Sequence, residues 1–158
     1  MIRQIIYILI IFLLLLNKTY SDVINFENCK FVLKSNKDKK DKRWIKYNEE
    51  RNFKISINTD KLIVWESWST YTHPNGQIIS AGTRKKNIIK FDDNKYVSEK
   101  EDVLFQSGLK MQYQYIYLLK EKKRLAKSWE YKKNLLGNEK LKLSKRRSDL
   151  GYDQCSNY

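Results

Sequence analysis

Apolar and polar positions alternate most cleanly from Phe53, where Phe53, Ile55 and Ile57 interleave with Lys54, Ser56 and Asn58. A period of two puts successive side chains on opposite faces of an extended chain, so this stretch predicts a strand with one face on a core and the other in water. Asn58, Thr59, Asp60 and Lys61 supply turn residues, and an apolar run resumes at Leu62 and reaches Trp68 and Tyr71. A β-hairpin follows from that order. The run stops at His73-Pro74-Asn75-Gly76, where Pro fixes φ at the second turn position and Asn-Gly accepts left-handed conformations. Residues 77–80 return from the turn. Asn87 to Phe91 predicts a further strand, residues 92–95 turn again, Tyr96 and Val97 read as a short edge strand, and Val103, Leu104 and Phe105 end at Ser107-Gly108.

A second clear alternation sets Met111, Tyr113, Tyr115 and Tyr117 against Gln112, Gln114, Ile116 and Leu118. Residues two apart point in different directions on a helix, so three tyrosines in register require a strand. Residues 119–136 admit two readings. Leu118, Leu125, Trp129 and Leu136 fit the face of a short helix, while residues 120–123 can be a hairpin loop that puts Leu125, Trp129 and Tyr131 on one strand face, interrupted by Lys127. Consecutive strands usually lie side by side, which favours the hairpin.

The flanks are less patterned. Cys29 precedes a short apolar run, Phe31-Val32-Leu33, that predicts the first strand. Residues 34–43 hold no apolar side chain and read as a solvated loop, Trp44-Ile45-Lys46-Tyr47 as a brief strand, and residues 132–149 as a loose basic surface segment. The whole predicts a mainly β protein, one antiparallel meander of roughly seven or eight short strands, curled into a small barrel or folded into a sandwich to cover its apolar face. Neither an internal repeat nor a Gly/Ser- or Pro-rich linker divides it, so residues 22–158 are expected to form a single domain.

Composition supports a folded chain. Of 158 residues 41% are hydrophobic and 13% aromatic, too rich for a disordered polyelectrolyte, and five Gly and one Pro exclude collagen-like and proline-rich architectures. The N-terminus changes the picture further. One cation, Arg3, precedes an unbroken apolar run from Ile5 to Leu16, and small residues follow at Thr19 and Ser21. That is the order of a secretory signal peptide, and as a helix the run reaches only about 18 Å, short of a bilayer core. Residues 1–21 are therefore expected to be cleaved, and the mature chain to be periplasmic or secreted. In an oxidising compartment the only two cysteines, Cys29 and Cys155, are expected to pair.

Charge comes next. The chain carries 32 Lys plus Arg against 18 Asp plus Glu, or +14, and loss of residues 1–21 removes Arg3 and Lys18 and leaves +12. Lys outnumbers Arg 25 to 7 while Ala, Gly and Pro are scarce, the usage of an AT-rich coding sequence, so part of the excess reflects codon bias. Basic runs lie at 37–43, 84–86, 120–124 and 140–147. In the last, Lys140, Lys142, Lys145, Arg146 and Arg147 make a polyanion-binding reading available. Export removes intracellular nucleic acid as the default target and leaves anionic envelope polymers, lipid headgroups or extracellular DNA.

Catalytic signals are sparse. His73, the single histidine, sits in turn chemistry, and the carboxylate groups Glu49-Glu50, Asp92-Asp93 and Glu99 with Glu101-Asp102 fall in predicted loops among lysines, which leaves a hydrolase as the weakest reading. The aromatics carry more. Trp65 and Trp68, three apart, cannot share a face of one regular strand, so an exposed Trp beside Tyr71 becomes a stacking surface, and Tyr113, Tyr115 and Tyr117 become a wall of the barrel interior. The functional expectation is an exported non-enzymatic binding domain acting through this aromatic β surface, with polyanion or anionic-membrane binding as its alternative. No cofactor or metal is implied.

Overall fold

The computed structural model describes residues 23–33, 42–133, 136–143 and 151–156. The expected signal segment and most of the loop read at 34–43 lie outside the described residues, as do Lys145, Arg146 and Arg147. In chain order the elements are β1 (Val23–Leu33), α1 (Lys42–Glu50), β2 (Phe53–Asn58), β3 (Ile63–Trp68), β4 (Tyr71–Thr72), β5 (Ile78–Ile79) and β6 (Gly82–Phe91). They continue with β7 (Lys95–Ser98), β8 (Glu101–Leu104), β9 (Lys110–Leu118), β10 (Lys123–Lys133), β11 (Glu139–Leu143) and β12 (Gly151–Gln154).

The chain is mainly β and antiparallel, and eight strands close into a barrel. Around the wall they run β1, β2, β3, β6, β7, β9, β10 and β12, each beside its predecessor, with β12 returning to β1. This is the curled meander that the alternation implies, and closure leaves the wall without the unpaired edges of an open sheet. The seam between the last strand and the first pairs Lys30 with Gln154 and Leu33 with Gly151. One residue further along, Cys29 and Cys155 form the expected disulfide. β1 bends there, with an irregular register against β2 and a left-handed Asn28 at φ 49°.

The two ends of the barrel differ. At one end the strands join by tight turns: residues 59–62 link β2 to β3, 92–94 link β6 to β7, and 119–122 link β9 to β10. Asn94 knits two of these together, its carbonyl accepting from Leu119 N–H at 2.8 Å and its side-chain oxygen from Lys120 N–H at 2.6 Å. At the other end every connection is elaborated: α1 between β1 and β2, the β4–β5 hairpin between β3 and β6, β8 between β7 and β9, and β11 between β10 and β12. We refer to this as the elaborated end.

Three sequence expectations are corrected, and the choice between hairpin and helix at 119–136 falls to the favoured hairpin. Residues 42–50 form α1 rather than a loop end and a strand. Trp44 and Tyr47, one helical turn apart, stack at 4.9 Å, Lys46 meets Glu50 at 3.5 Å, and Trp44, Ile45, Tyr47 and Asn48 turn toward the barrel while the charged residues face water. Residues 123–133 form the second arm of the hairpin and not a short helix over 119–136: β10 pairs with β9 from Lys123↔Leu118 to Glu130↔Met111. Tyr96 and Val97 lie in β7, an interior strand between β6 and β9 rather than an edge. Within the basic segment, residues 139–143 are ordered as β11 against the far half of β10.

The apolar core uses the predicted faces. Phe53, Ile55 and Ile57 of β2 and Met111, Tyr113, Tyr115 and Tyr117 of β9 are all buried, with Phe26, Val64, Ile88 and Tyr96. Where β9 changes partner from β8 to β7, the Tyr115 N–H would lose its ladder bond; the Ser98 hydroxyl accepts it at 2.9 Å. In β10 the faces are reversed from what apolarity suggests. Arg124 and Ser128 are buried, whereas Trp129 and Tyr131 look outward under Lys100 and Lys110, whose ammonium groups lie 4.6 Å and 4.3 Å from the two rings.

Candidate functional site

The reversed face of β10 has counterparts in β3, β6 and β12. Glu66 alternates with exposed Trp65, Arg84 and Lys86 alternate with exposed Lys85, and Asp153 is buried in the last strand. Pairing in the wall brings these side chains into one ion network inside the barrel. Glu66, with no exposed surface, accepts from Arg124 Nη1 at 2.8 Å and Tyr117 Oη at 2.7 Å through Oε1, and from Arg84 Nη2 at 2.9 Å through Oε2. Asp153 accepts from Arg124 through Nε at 2.9 Å and from Arg51 Nη2 at 2.6 Å. Glu101 of β8 pairs with Lys86 Nζ at 2.6 Å and with Arg84 Nη1 at 3.1 Å.

Taking ions from water costs several kcal/mol each, and only tight pairing with further hydrogen bonds offsets it. The network meets that requirement at Glu66 and Asp153, whose oxygens are all hydrogen-bonded, less fully at Glu101, whose Oε1 has no hydrogen-bond partner, and ring faces extend it. The Phe53 ring carries the Arg51 and Arg124 guanidiniums at 4.4 Å and 4.1 Å from its centroid, and Lys86 Nζ lies 4.0 Å from that of Tyr115. Burial pushes the Glu66 carboxyl upward, but Arg124, Arg84 and Lys86 together outweigh it and hold the group at about 2. Burial lowers Lys86 from its ordinary value, with Glu66 and Glu101 opposing it. Burial raises Tyr115 to about 12 against the pull of Arg84 and Arg124. Tyr117, enclosed beside the Glu66 charge, is raised well above the ordinary phenol range, so both hydroxyls stay protonated at neutral pH.

The network opens at the elaborated end into a cavity of about 210 Å³. Three guanidinium groups wall it, those of Arg51, Arg84 and Arg124, together with the rings of Phe53, Trp68, Tyr71 and Tyr115. Local structure places each. Arg51 follows the last residue of α1, and its carbonyl is tied across the barrel mouth by Ser69 N–H and Oγ–H, both at 3.0 Å. Trp68 turns inward because Gly82 opposite offers no Cβ, and its indole N–H donates to the Ser80 carbonyl at 3.0 Å. Tyr71 meets Tyr47 of α1, hydroxyl to hydroxyl at 3.1 Å, and burial with that bond raises its pKa. Two nitrogens in this wall, Arg51 Nε and Arg84 Nε, are buried without a hydrogen-bond partner.

The aromatic residues singled out in the sequence divide three ways. Trp68, Tyr71 and Tyr115 meet in the cavity. Tyr113 and Tyr117 are buried in the interior away from it, Tyr113 donating to Met111 Sδ at 3.4 Å. Trp65 is on the outer face, 47% exposed, in a shallow groove with Asn25, Lys54 and Ser67. Of the basic cluster, Lys140 and Lys142 share the exposed face of β11 opposite Lys132 and Glu130, so a carboxylate sits within that patch. Arg84, Lys86 and Arg124, which belong to two of the basic runs, are spent inside the barrel.

His73 is half-buried rather than exposed, its ring 5.0 Å from Tyr47 and 6.2 Å from Trp44, while its Nδ1 meets Asn75 Oδ1 at 2.8 Å within the turn. Glu101, read as loop charge, is a strand residue of the ion network. Sequence reasoning missed Arg51, Glu66, Arg84, Arg124 and Asp153. For Glu66, Arg84 and Arg124 the available signal was alternation with outward side chains along β3, β6 and β10. Among the described residues no group of three or more His, Cys, Asp and Glu is placed to hold a metal ion, and no helix is long and apolar enough to cross a membrane. Comparison with protein-family models, curated proteins and solved structures finds no match for this chain.

Proposed function

We propose that this protein is an exported ligand-binding β-barrel that holds a small molecule in the cavity at its elaborated end. The observation that carries this reading is the cavity wall, in which three arginines converge with four aromatic rings under α1 and the β4–β5 hairpin. Eight-stranded barrels are just wide enough either to fill with side chains or to hold one small ligand, and convergent polar groups in an otherwise ring-lined pocket are what fix a ligand's orientation. The disulfide is compatible with an oxidising compartment, and the apolar run at 5–16 supports export. Binding, rather than turnover, accounts for arginines whose charge is fixed over the whole physiological range and which offer neither a nucleophile nor a general base.

Native mass spectrometry of the protein recovered from the exported fraction of its host tests this reading. The expected spectrum shows a retained small molecule lost on unfolding, and a Tyr71→Trp variant, which narrows the cavity, retains markedly less of it. A folded protein that carries nothing and gains no thermal stability from any small molecule in a broad metabolite panel would remove the proposal.

A further inference from the structure

The ion network is unbalanced. It joins four cations, Arg51, Arg84, Lys86 and Arg124, to three carboxylates, Glu66, Glu101 and Asp153. Lys86 is matched by Glu101, and Arg84 and Arg124 share Glu66. Arg51 has only the second oxygen of Asp153, whose first is already held by Arg124. The surplus positive charge is shared among Arg51, Arg84 and Arg124, all three on the cavity wall. Arg84 faces the same space, and its terminal nitrogens are held by Glu66 and Glu101. In both Arg51 and Arg84 the buried Nε–H has no hydrogen-bond partner. An uncompensated charge away from water is costly, and a guanidinium edge is shaped for a carboxylate.

Resting on the pocket reading above, we propose that the ligand is a small, flat organic monoanion, its carboxylate held between Arg51 and Arg84 and its body among the rings of Trp68 and Tyr71. One negative charge brings the network to neutrality, whereas two overshoot it. The cavity, about 210 Å³, is roughly seven waters by volume, room for a carboxylate carrying one small ring. Aromatic rings in the lining favour a planar body over a bulky aliphatic one.

Isothermal titration of the whole protein with sodium benzoate, benzamide and inorganic phosphate tests the assignment. Benzoate is expected to bind at least tenfold more tightly than benzamide, its uncharged counterpart, and at least tenfold more tightly than phosphate, which lacks the ring. Arg51→Gln and Arg84→Gln, each verified as folded by circular dichroism, are expected to weaken benzoate at least tenfold, with Arg51→Lys retaining part of the affinity. Should a Gln variant not fold, the benzoate-to-benzamide ratio in the native protein decides. Equal binding of benzamide, undiminished binding in a folded Gln variant, or no binding of benzoate overturns the anion assignment. Phosphate equal to benzoate overturns the organic part of it. A retained ligand in native mass spectra alongside any of these failures leaves the pocket reading standing.

Discussion

Glu66 of β3 and Arg124 of β10, 58 positions apart in the chain, meet across the interior of the barrel, Oε1 to Nη1 at 2.8 Å. Each is the most heavily bonded member of its sign, and together they join the two walls on which the cavity rests. Replacing one partner of a buried pair leaves the other charged and unpaired, at a typical cost of about 3–5 kcal/mol. Glu66→Leu removes the carboxylate that Arg84 and Arg124 share, leaving them Glu101 and Asp153, and is expected to fall in that range by urea denaturation, while Glu66→Gln, which keeps the shape and one acceptor, loses less. A Glu66→Leu protein as stable as the parent would show that the network contributes no stability.

The same carboxylate sets an acid limit. Glu66 is held at about 2, against an ordinary value of 4.5 in the unfolded chain. Between these values the unfolded chain binds a proton that the folded protein refuses, so stability is fully present above about 4.5 and is lost as pH falls toward 2. Melting temperature measured from pH 6 to pH 2 is expected to drop across that window, more steeply than in Glu66→Gln, where this group no longer titrates. Parallel curves for the two proteins would locate the acid sensitivity elsewhere.

Cys29 and Cys155, 126 residues apart, lock the seam where the meander closes. A loop of that length is worth roughly 4–5 kcal/mol in the chain-entropy account, an upper figure because strain and residual denatured structure subtract from it. Reduction, or the Cys29→Ser/Cys155→Ser double variant, is expected to lower the urea midpoint by an amount in keeping with 2–5 kcal/mol, the usual loss when a small secreted domain is stripped of a native disulfide. An unchanged midpoint on reduction would mean that β1–β12 pairing suffices by itself.

Much of this fold was legible in the sequence, and the misses at the ion network share a cause. The alternations at 53–57 and 111–117 mark buried faces because their inward residues are apolar, and the hairpin at residues 119–122 follows from strand adjacency. The pattern misleads at 84–86 and 123–130, where Arg84, Lys86 and Arg124 are the inward residues and apolarity points the wrong way. A rule that sends charge to solvent has no means of seeing ions that solvate one another. α1 was missed because Trp44-Ile45-Lys46-Tyr47 is too short to separate a helical from an extended period, and because its first turn lacks an acidic residue. Of the candidate site, Trp68, Tyr71 and Tyr115 were visible as aromatics. The arginines between them depend on pairing across β3, β6 and β10, which no single segment reveals.

Gly82 tests how tightly the cavity wall is set. A Cβ there would lie 2.6 Å from Trp68 Cζ2, a position on a rigid ring that cannot swing aside without leaving the cavity. Gly82→Ala is expected to destabilise the protein by about 1–3 kcal/mol, as overpacking does, and to shift Trp68 fluorescence. If stability and emission are both unchanged, Trp68 does not occupy the wall as described.

The most direct test of the cavity as the binding site is a two-dimensional nitrogen–proton spectrum of the four tryptophan indoles during titration with benzoate. Trp68 lines the cavity, whereas Trp65 and Trp129 are on the outer surface of the barrel. The expected result is a saturable shift of the Trp68 indole N–H with the Trp65 and Trp129 signals stationary. A shift confined to Trp65, or a Trp68 signal that does not move while calorimetry registers binding, would contradict the account.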